Sequence, residues 1–219
     1  RNSKVGEKYL ATYACTSEYS GSAGTRRASI GTFCHEFGHV LGLPDLYDTE
    51  YKYYTVSNWS IMCSGNYNNN GRTPPTYSAY ERFFLGWLTP RLITEPENIT
   101  LENLNSSNSA LIITEIDTAN LIGNDPNPTT FYMLENRQQE GWDQYLPGHG
   151  LMLTKIQYSY SRWAQNTVNN ASSKLGVDLL EANGKATKNG KASDLFPTGS
   201  TQYLKIADHP IEQIEETEG

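Results

Sequence analysis

The chain has 219 residues, of which 37% are hydrophobic and 19% charged, with 17 Lys and Arg against 24 Asp and Glu for a formal charge of −7. That length can bury one good core or two small ones. The acidic balance argues against a nucleic-acid partner, which wants a basic surface, and no run approaches the roughly 20 apolar residues of a membrane span.

The sequence opens on Arg1 with no signal peptide ahead of it, so it reads as a mature or trimmed segment. Residues 8–13 predict a strand, followed by a Gly/Ser-rich turn. Ser29 is placed to cap a helix running to about Leu41. Its apolar Ile30, Phe33, Cys34, Phe37, Val40 and Leu41 recur at helical spacing and give the helix an apolar rear face. Gly42 stops it, and Pro44 supports the stop. Residues 43–75, rich in Tyr, Asn, Gly and Pro, read as loops. Ser78 and Glu81 form a capping box for a second helix over 78–85, ended by Gly86. After Pro90 come short alternating or apolar runs at 99–104, 110–116, 131–136, 150–158 and 202–206. Asn, Pro, Asp and Gly turns separate them, a β-rich pattern. The acidic tail from Ile214 reads as frayed.

The first helix carries the chemistry. In Cys34-His-Glu-Phe-Gly-His-Val-Leu-Gly-Leu-Pro-Asp45, His35 and His39 lie one turn apart on one face, so two imidazoles reach one metal ion. Glu36 can then reach a water on that metal, acidified toward a pKa of ~7, and act as general base. A catalytic zinc needs a third protein ligand and an open fourth position. Gly42 lets the chain turn sharply, and Asp45 comes back under the metal as a competent ligand, where a His would be commoner. His-Glu-x-x-His alone arises by chance in about one of two hundred such chains; Gly42 and Asp45 at fixed offsets lower this to roughly one in tens of thousands. A structural zinc site would need a fourth protein ligand and has no use for Glu36.

The run from His35 to Asp48, His-Glu-Phe-Gly-His-Val-Leu-Gly-Leu-Pro-Asp-Leu-Tyr-Asp, resembles the zinc signature of the immune inhibitor A family of secreted bacterial metalloproteases. Ser57-Asn-Trp-Ser-Ile-Met-Cys-Ser-Gly65 is similar to that family's Met-turn, and Pro75-Thr-Tyr-Ser-Ala-Tyr-Glu-Arg-Phe-Phe-Leu-Gly-Trp87 to the helix after it. Phe131-Tyr-Met-Leu-Glu-Asn-Arg137 and Leu146-Pro-Gly-His-Gly-Leu151 resemble its later β-region.

The resemblance implies a metzincin-like α+β fold, with Asp45 as third zinc ligand and Met62 as an apolar floor under the metal. Residues 1–90 would hold the zinc-helix and Met-turn part of a catalytic domain, and residues 91–219 a β-rich region packed on it. Only 34 residues precede His35, so the upper sheet subdomain expected of such domains is missing from this chain. The implied activity is zinc-dependent hydrolysis of peptide bonds in protein substrates, by a protein secreted from or held at the surface of a bacterium. The alternative is a catalytically incomplete fragment, or a zinc-stabilised module that binds a protein or glycan.

Some metzincins place an oxyanion-assisting Tyr two residues after the Met. Ser64 stands there, and Tyr67, Tyr77 and Tyr80 are the tyrosines nearest in sequence. Asp117, Asp125 and Asp194 sit in Asn/Pro/Gly-rich turns and match no calcium loop, so turn chemistry accounts for them; the resemblance adds a structural calcium as a second cofactor. His149 reads as a loop residue and His209 as a surface one. Glu135 and Arg137 fit either a cleft wall or one face of a strand. Cys15, Cys34 and Cys63 form no C-x-x-C pattern and read as buried thiols, with a Cys15–Cys34 bridge open to a secreted chain.

Overall fold

The apolar runs after residue 90 assemble into one mixed sheet. In the computed structural model, residues 3–10, 13–21, 24–116, 120–206 and 209–217 are described. Two small hairpins come first, β1 (Ser3–Val5) with β2 (Lys8–Leu10) and β3 (Tyr19–Ser20) with β4 (Arg26–Arg27). Helix α1 (Ile30–Leu41) follows, then α2 (Ala79–Phe84). The sheet runs in the order β5 (Arg91–Leu92), β6 (Leu111–Ile113), β7 (Thr130–Arg137), β8 (Gly150–Gln157) and β9 (Val177–Leu179). The β5–β6 pair is parallel and the others are antiparallel. The class is therefore mixed α+β.

Side chains alternate across the sheet, as the pleat requires. Ile112, Phe131, Met133, Met152 and Ile156 join one core with Leu43, Leu46, Trp59, Met62, Tyr80 and Phe83. Leu111, Ile113, Tyr132, Leu134 and Leu153 face a second core with Phe196, Leu204, Ile206 and Ile214. Between α1 and α2 the chain is irregular apart from 3-10 turns at Ser57–Trp59 and Ser64–Gly71. It still buries Leu43, Leu46, Val56, Trp59, Ile61, Met62 and Cys63. At about 1.5–3 kcal/mol for each fully buried large apolar side chain, packing on the sheet holds this segment in shape.

Several sequence expectations change. The stripe of α1 is reversed: Ile30, Phe33 and Phe37 are 46%, 45% and 43% exposed, and the buried face carries Gly31, His35 and Gly38. The two glycines make this burial possible. A Cβ at Gly31 would lie 1.9 Å from the carbonyl oxygen of Asn66, and one at Gly38 would lie 2.4 Å from Met62 Sδ. Ser29 sits at the N-cap without capping; its hydroxyl donates to the Asn70 carbonyl at 2.9 Å.

The C-terminus of α1 is as expected. Gly42, at φ 106°, donates to His39 O, and Leu43 donates to Gly38 O, a Schellman stop. The Ser78–Glu81 capping box forms at α2. The run at 99–104 is not a strand: Asn103 caps a single helical turn, α3 (Leu104–Ser107), through its bond from Asn105 N–H. The run at 202–206 becomes β10 (Leu204–Ile206), paired with β11 (His209–Ile211) outside the main sheet. The one-turn helix α4 (Tyr160–Ala164) and the short strands β5 and β9 add to the expected elements. The tail is fastened rather than frayed: Ile214 is buried, its N–H donates to Gln202 O, and Glu216 pairs with His149. Cys15, Cys34 and Cys63 are all free, so no Cys15–Cys34 bridge forms. Among the described residues no helix is long and apolar enough to cross a membrane.

Candidate metal centre

Helix α1 places His35 and His39 on its inward face, and the Schellman turn at Gly42 sends the chain back so that Asp45 meets both rings. Asp45 Oδ1 lies 3.1 Å from His35 Nε2 and 3.3 Å from His39 Nε2. Among the described residues these three form the group of His, Cys, Asp or Glu side chains close enough to share an ion.

The other ring nitrogens fix the tautomers. His35 Nδ1 is 2.8 Å from the Ile61 carbonyl and His39 Nδ1 is 2.8 Å from the Leu43 carbonyl. A carbonyl only accepts, so each Nδ1 carries the proton and each Nε2 of the neutral rings turns a lone pair inward. Asp45 Oδ1 is then buried without a hydrogen-bond donor. Three lone-pair donors converge with no proton among them, and an unsatisfied buried carboxylate oxygen is costly. Separations of 3.1 and 3.3 Å are also near the edge of a tetrahedron with bonds of about 2.0–2.1 Å. The residues fit a zinc-like cation.

The charges respond accordingly. Burial pushes the Asp45 carboxyl up, but the facing His35 and His39 rings, which donate to it once protonated, and the Asn166 amide outweigh this and hold the group well below the usual carboxylate range. The bond to Asp45 raises the proton affinity of His39, against the opposing effect of its partial burial. Without a cation, a proton on His39 is the available substitute.

The supporting shell comes from segments distant in sequence. Met62 packs its thioether on Gly38, the α1 residue before His39, and its carbonyl accepts the Leu46 N–H at 2.8 Å. Ser60 Oγ accepts the Met62 N–H at 3.0 Å and donates to Glu81 Oε1 at 2.5 Å, tying this turn to α2. Tyr47 stacks on the His35 ring at 6.4 Å. Burial, and then the nearby Asp45 charge, raise the pKa of its hydroxyl. Glu36 is half-buried on the next position of α1, and among the described residues no hydrogen bond engages its carboxylate.

Of the remaining candidates, Tyr77 borders α1 beside Met62 and the others lie elsewhere. Tyr67 is exposed, Tyr80 is fully buried, and Tyr77 donates its hydroxyl to the Cys34 carbonyl at 3.3 Å. Glu135 and Arg137 are one face of a strand: Arg137 is 0% exposed and pairs with Glu135 at 3.1 Å and Asp143 at 2.8 Å. His149 is exposed and pairs with Glu216. His209 opens β11 at the surface. Asp194 accepts from Lys191 N–H, Trp59 Nε1 and Asn183 Nδ2, which is turn chemistry. Asp125 is an exposed turn residue, and Asp117 lies outside the described residues. Two contributors were missed in sequence, Tyr47 and Asn166. The second donates to Asp45 Oδ2 at 2.6 Å from 121 residues away, and no local pattern signals such a pair.

Residues 6–88 match the sequence model of the immune inhibitor A peptidase M6 catalytic domain. The resemblance to the immune inhibitor A peptidases holds over this stretch. Two relatives support it. The pre-pro-metalloprotease PrtV of Vibrio cholerae serotype O1 is 45% identical over 62 residues, covering 26% of this chain and 7% of the relative. Immune inhibitor A of Bacillus thuringiensis subsp. alesti is 38% identical over 60 residues, 26% of this chain and 9% of the relative. The matched stretch thus spans under a tenth of the length of either relative. A peptidase family with metalloprotease-named relatives implies a metal, and His35, His39 and Asp45 make a site suited to one.

Proposed function

We propose that this chain carries the catalytic centre of a secreted bacterial zinc endopeptidase with a metzincin-like arrangement. The observation that carries the reading is the convergence of His35 Nε2, His39 Nε2 and the donor-less Asp45 Oδ1 on one point, in a stretch matching a peptidase catalytic domain.

Bound zinc would supply a Lewis acid that polarises the scissile carbonyl and acidifies an attacking water. The chain's own residues do the rest. His35 and His39 present neutral Nε2 atoms because their Nδ1 protons are tied to the Ile61 and Leu43 carbonyls. Glu36, one residue from the first ligand, takes the water's proton on a carboxylate oxygen and passes it to the leaving amine. Met62 serves as an apolar floor beneath the ligands and holds the Asp45 loop through its backbone. Protein substrates and secretion follow from the family likeness. A structural calcium, which the family resemblance implies, stays part of the reading with no ligands assigned to it.

The test is the metal content of the purified protein. One zinc per chain is expected, lost together with proteolysis of casein in His39→Ala. Absence of zinc from an active wild-type protein, or full zinc occupancy in His39→Ala, overturns the reading.

A further inference from the structure

Asp45 faces His35 and His39 through Oδ1 and the Asn166 amide through Oδ2. Asn166 Oδ1 accepts the Asp45 backbone N–H at 2.7 Å, and Asn166 Nδ2 donates to Asp45 Oδ2 at 2.6 Å. The first bond fixes the orientation of the amide, because an N–H can face only its oxygen. The NH2 must therefore meet the carboxylate. One amide thus clamps both the backbone and the side chain of Asp45. It occupies Oδ2, and Oδ1 is left as the oxygen toward the imidazoles. Residue 166 follows α4 and sits at φ 56°, a left-handed conformation that Asn tolerates.

The neighbours of Asn166 supply an internal comparison. Asn169 Nδ2 donates to the Leu46 carbonyl at 2.8 Å. Asn170 repeats the clamp one turn further along: Oδ1 accepts Thr49 N–H at 3.1 Å and Nδ2 donates to Thr49 Oγ1 at 2.7 Å, at the same sequence separation of 121 residues. Segment 166–170 thus docks along segment 45–49 through three asparagines. Asn170 fastens the loop as Asn166 does, but it touches no ligand.

We infer that Asn166 is a positioning residue for the metal: it selects Oδ1 of Asp45 as the coordinating oxygen and aims it at the two imidazoles. The inference rests on the zinc reading above. Loss of such an outer partner typically weakens metal binding about 10–100-fold.

The test compares Asn166→Gly, which accepts the left-handed backbone, with Asn170→Ala as the loop-fastening control. The wild-type protein and both variants are titrated with zinc against a chromophoric chelator, and their cobalt-loaded visible spectra are recorded. Zinc affinity about tenfold or more weaker in Asn166→Gly, with a shifted cobalt spectrum, is expected, while Asn170→Ala stays within about threefold and keeps the wild-type spectrum. Equal weakening in both variants, or none in either, overturns the inference. Should Asn166→Gly fail to fold, Asn166→Asp at pH 8 replaces it. That carboxylate keeps the acceptor but cannot donate to Oδ2, so wild-type affinity in Asn166→Asp also overturns the inference. A wild-type protein that binds no zinc fails the reading of the site itself.

Discussion

Gly38 lies directly against the Met62 thioether: a Cβ there would stand 2.4 Å from Sδ and 3.2 Å from the Tyr77 hydroxyl. A methyl group at this point of α1 has to displace the Met62 side chain. Ala in place of Gly in a helix interior ordinarily gains about 1 kcal/mol. Here overpacking reverses the sign, and Gly38→Ala should cost about 1–3 kcal/mol. Gly31→Ala should cost more, because its Cβ would meet the Asn66 backbone carbonyl at 1.9 Å, which cannot swing away as a thioether can. Denaturant midpoints measure both; stabilisation by either substitution would contradict the packing described.

The Arg137 guanidinium makes a second prediction. It is wholly buried between Glu135 and Asp143, and Glu135 also accepts the Ala79 N–H at the start of α2. Arg137→Met leaves two buried carboxylates without their cation. A loss of about 3–5 kcal/mol is expected, read as a lower unfolding midpoint. A change below about 1 kcal/mol, as for a surface pair, would show that the pair is not buried in solution.

These two cases mark what the sequence made legible. The ligand helix, its glycine stop and the α2 capping box are local, set by residues within four positions of each other, and all three were readable. Which face of α1 turns inward was not. The stripe Ile30, Phe33, Phe37 and the stripe Gly31, His35, Gly38 share one period, and hydropathy selects the first. The structure buries the second, because close backbone approach at two glycines and two histidine–carbonyl bonds outweigh three apolar side chains. Asn166 was illegible for a different reason, since its partner is 121 residues away. The run over 99–104 meets the sheet at Asn103, bridged to Asn136, and ends there because the Asn103 side chain accepts the Asn105 N–H and starts α3.

Glu181 gives a pH signature. Burial, then the charges of Asp178 and Asp194, push its carboxyl up from 4.5 to about 7. The folded state therefore binds this proton more tightly than the unfolded state. The associated stability is complete below pH 4.5 and is lost as pH rises to about 7. Glu181→Gln removes the titration, so the variant should gain on the wild type between pH 4.5 and 7. Thermal unfolding across that range checks this; an unchanged difference at the two ends contradicts it.

Glu36 is the general base of the proposed reaction, and proteolysis by the zinc-loaded wild-type protein and by Glu36→Gln tests that role. Glutamine keeps the shape of the side chain and leaves His35, His39 and Asp45 untouched, so zinc occupancy should remain complete. Turnover of a protein substrate should fall about 10²–10⁴-fold, the usual contribution of a general base. Full activity in Glu36→Gln, with zinc bound, would rule out Glu36 as the base.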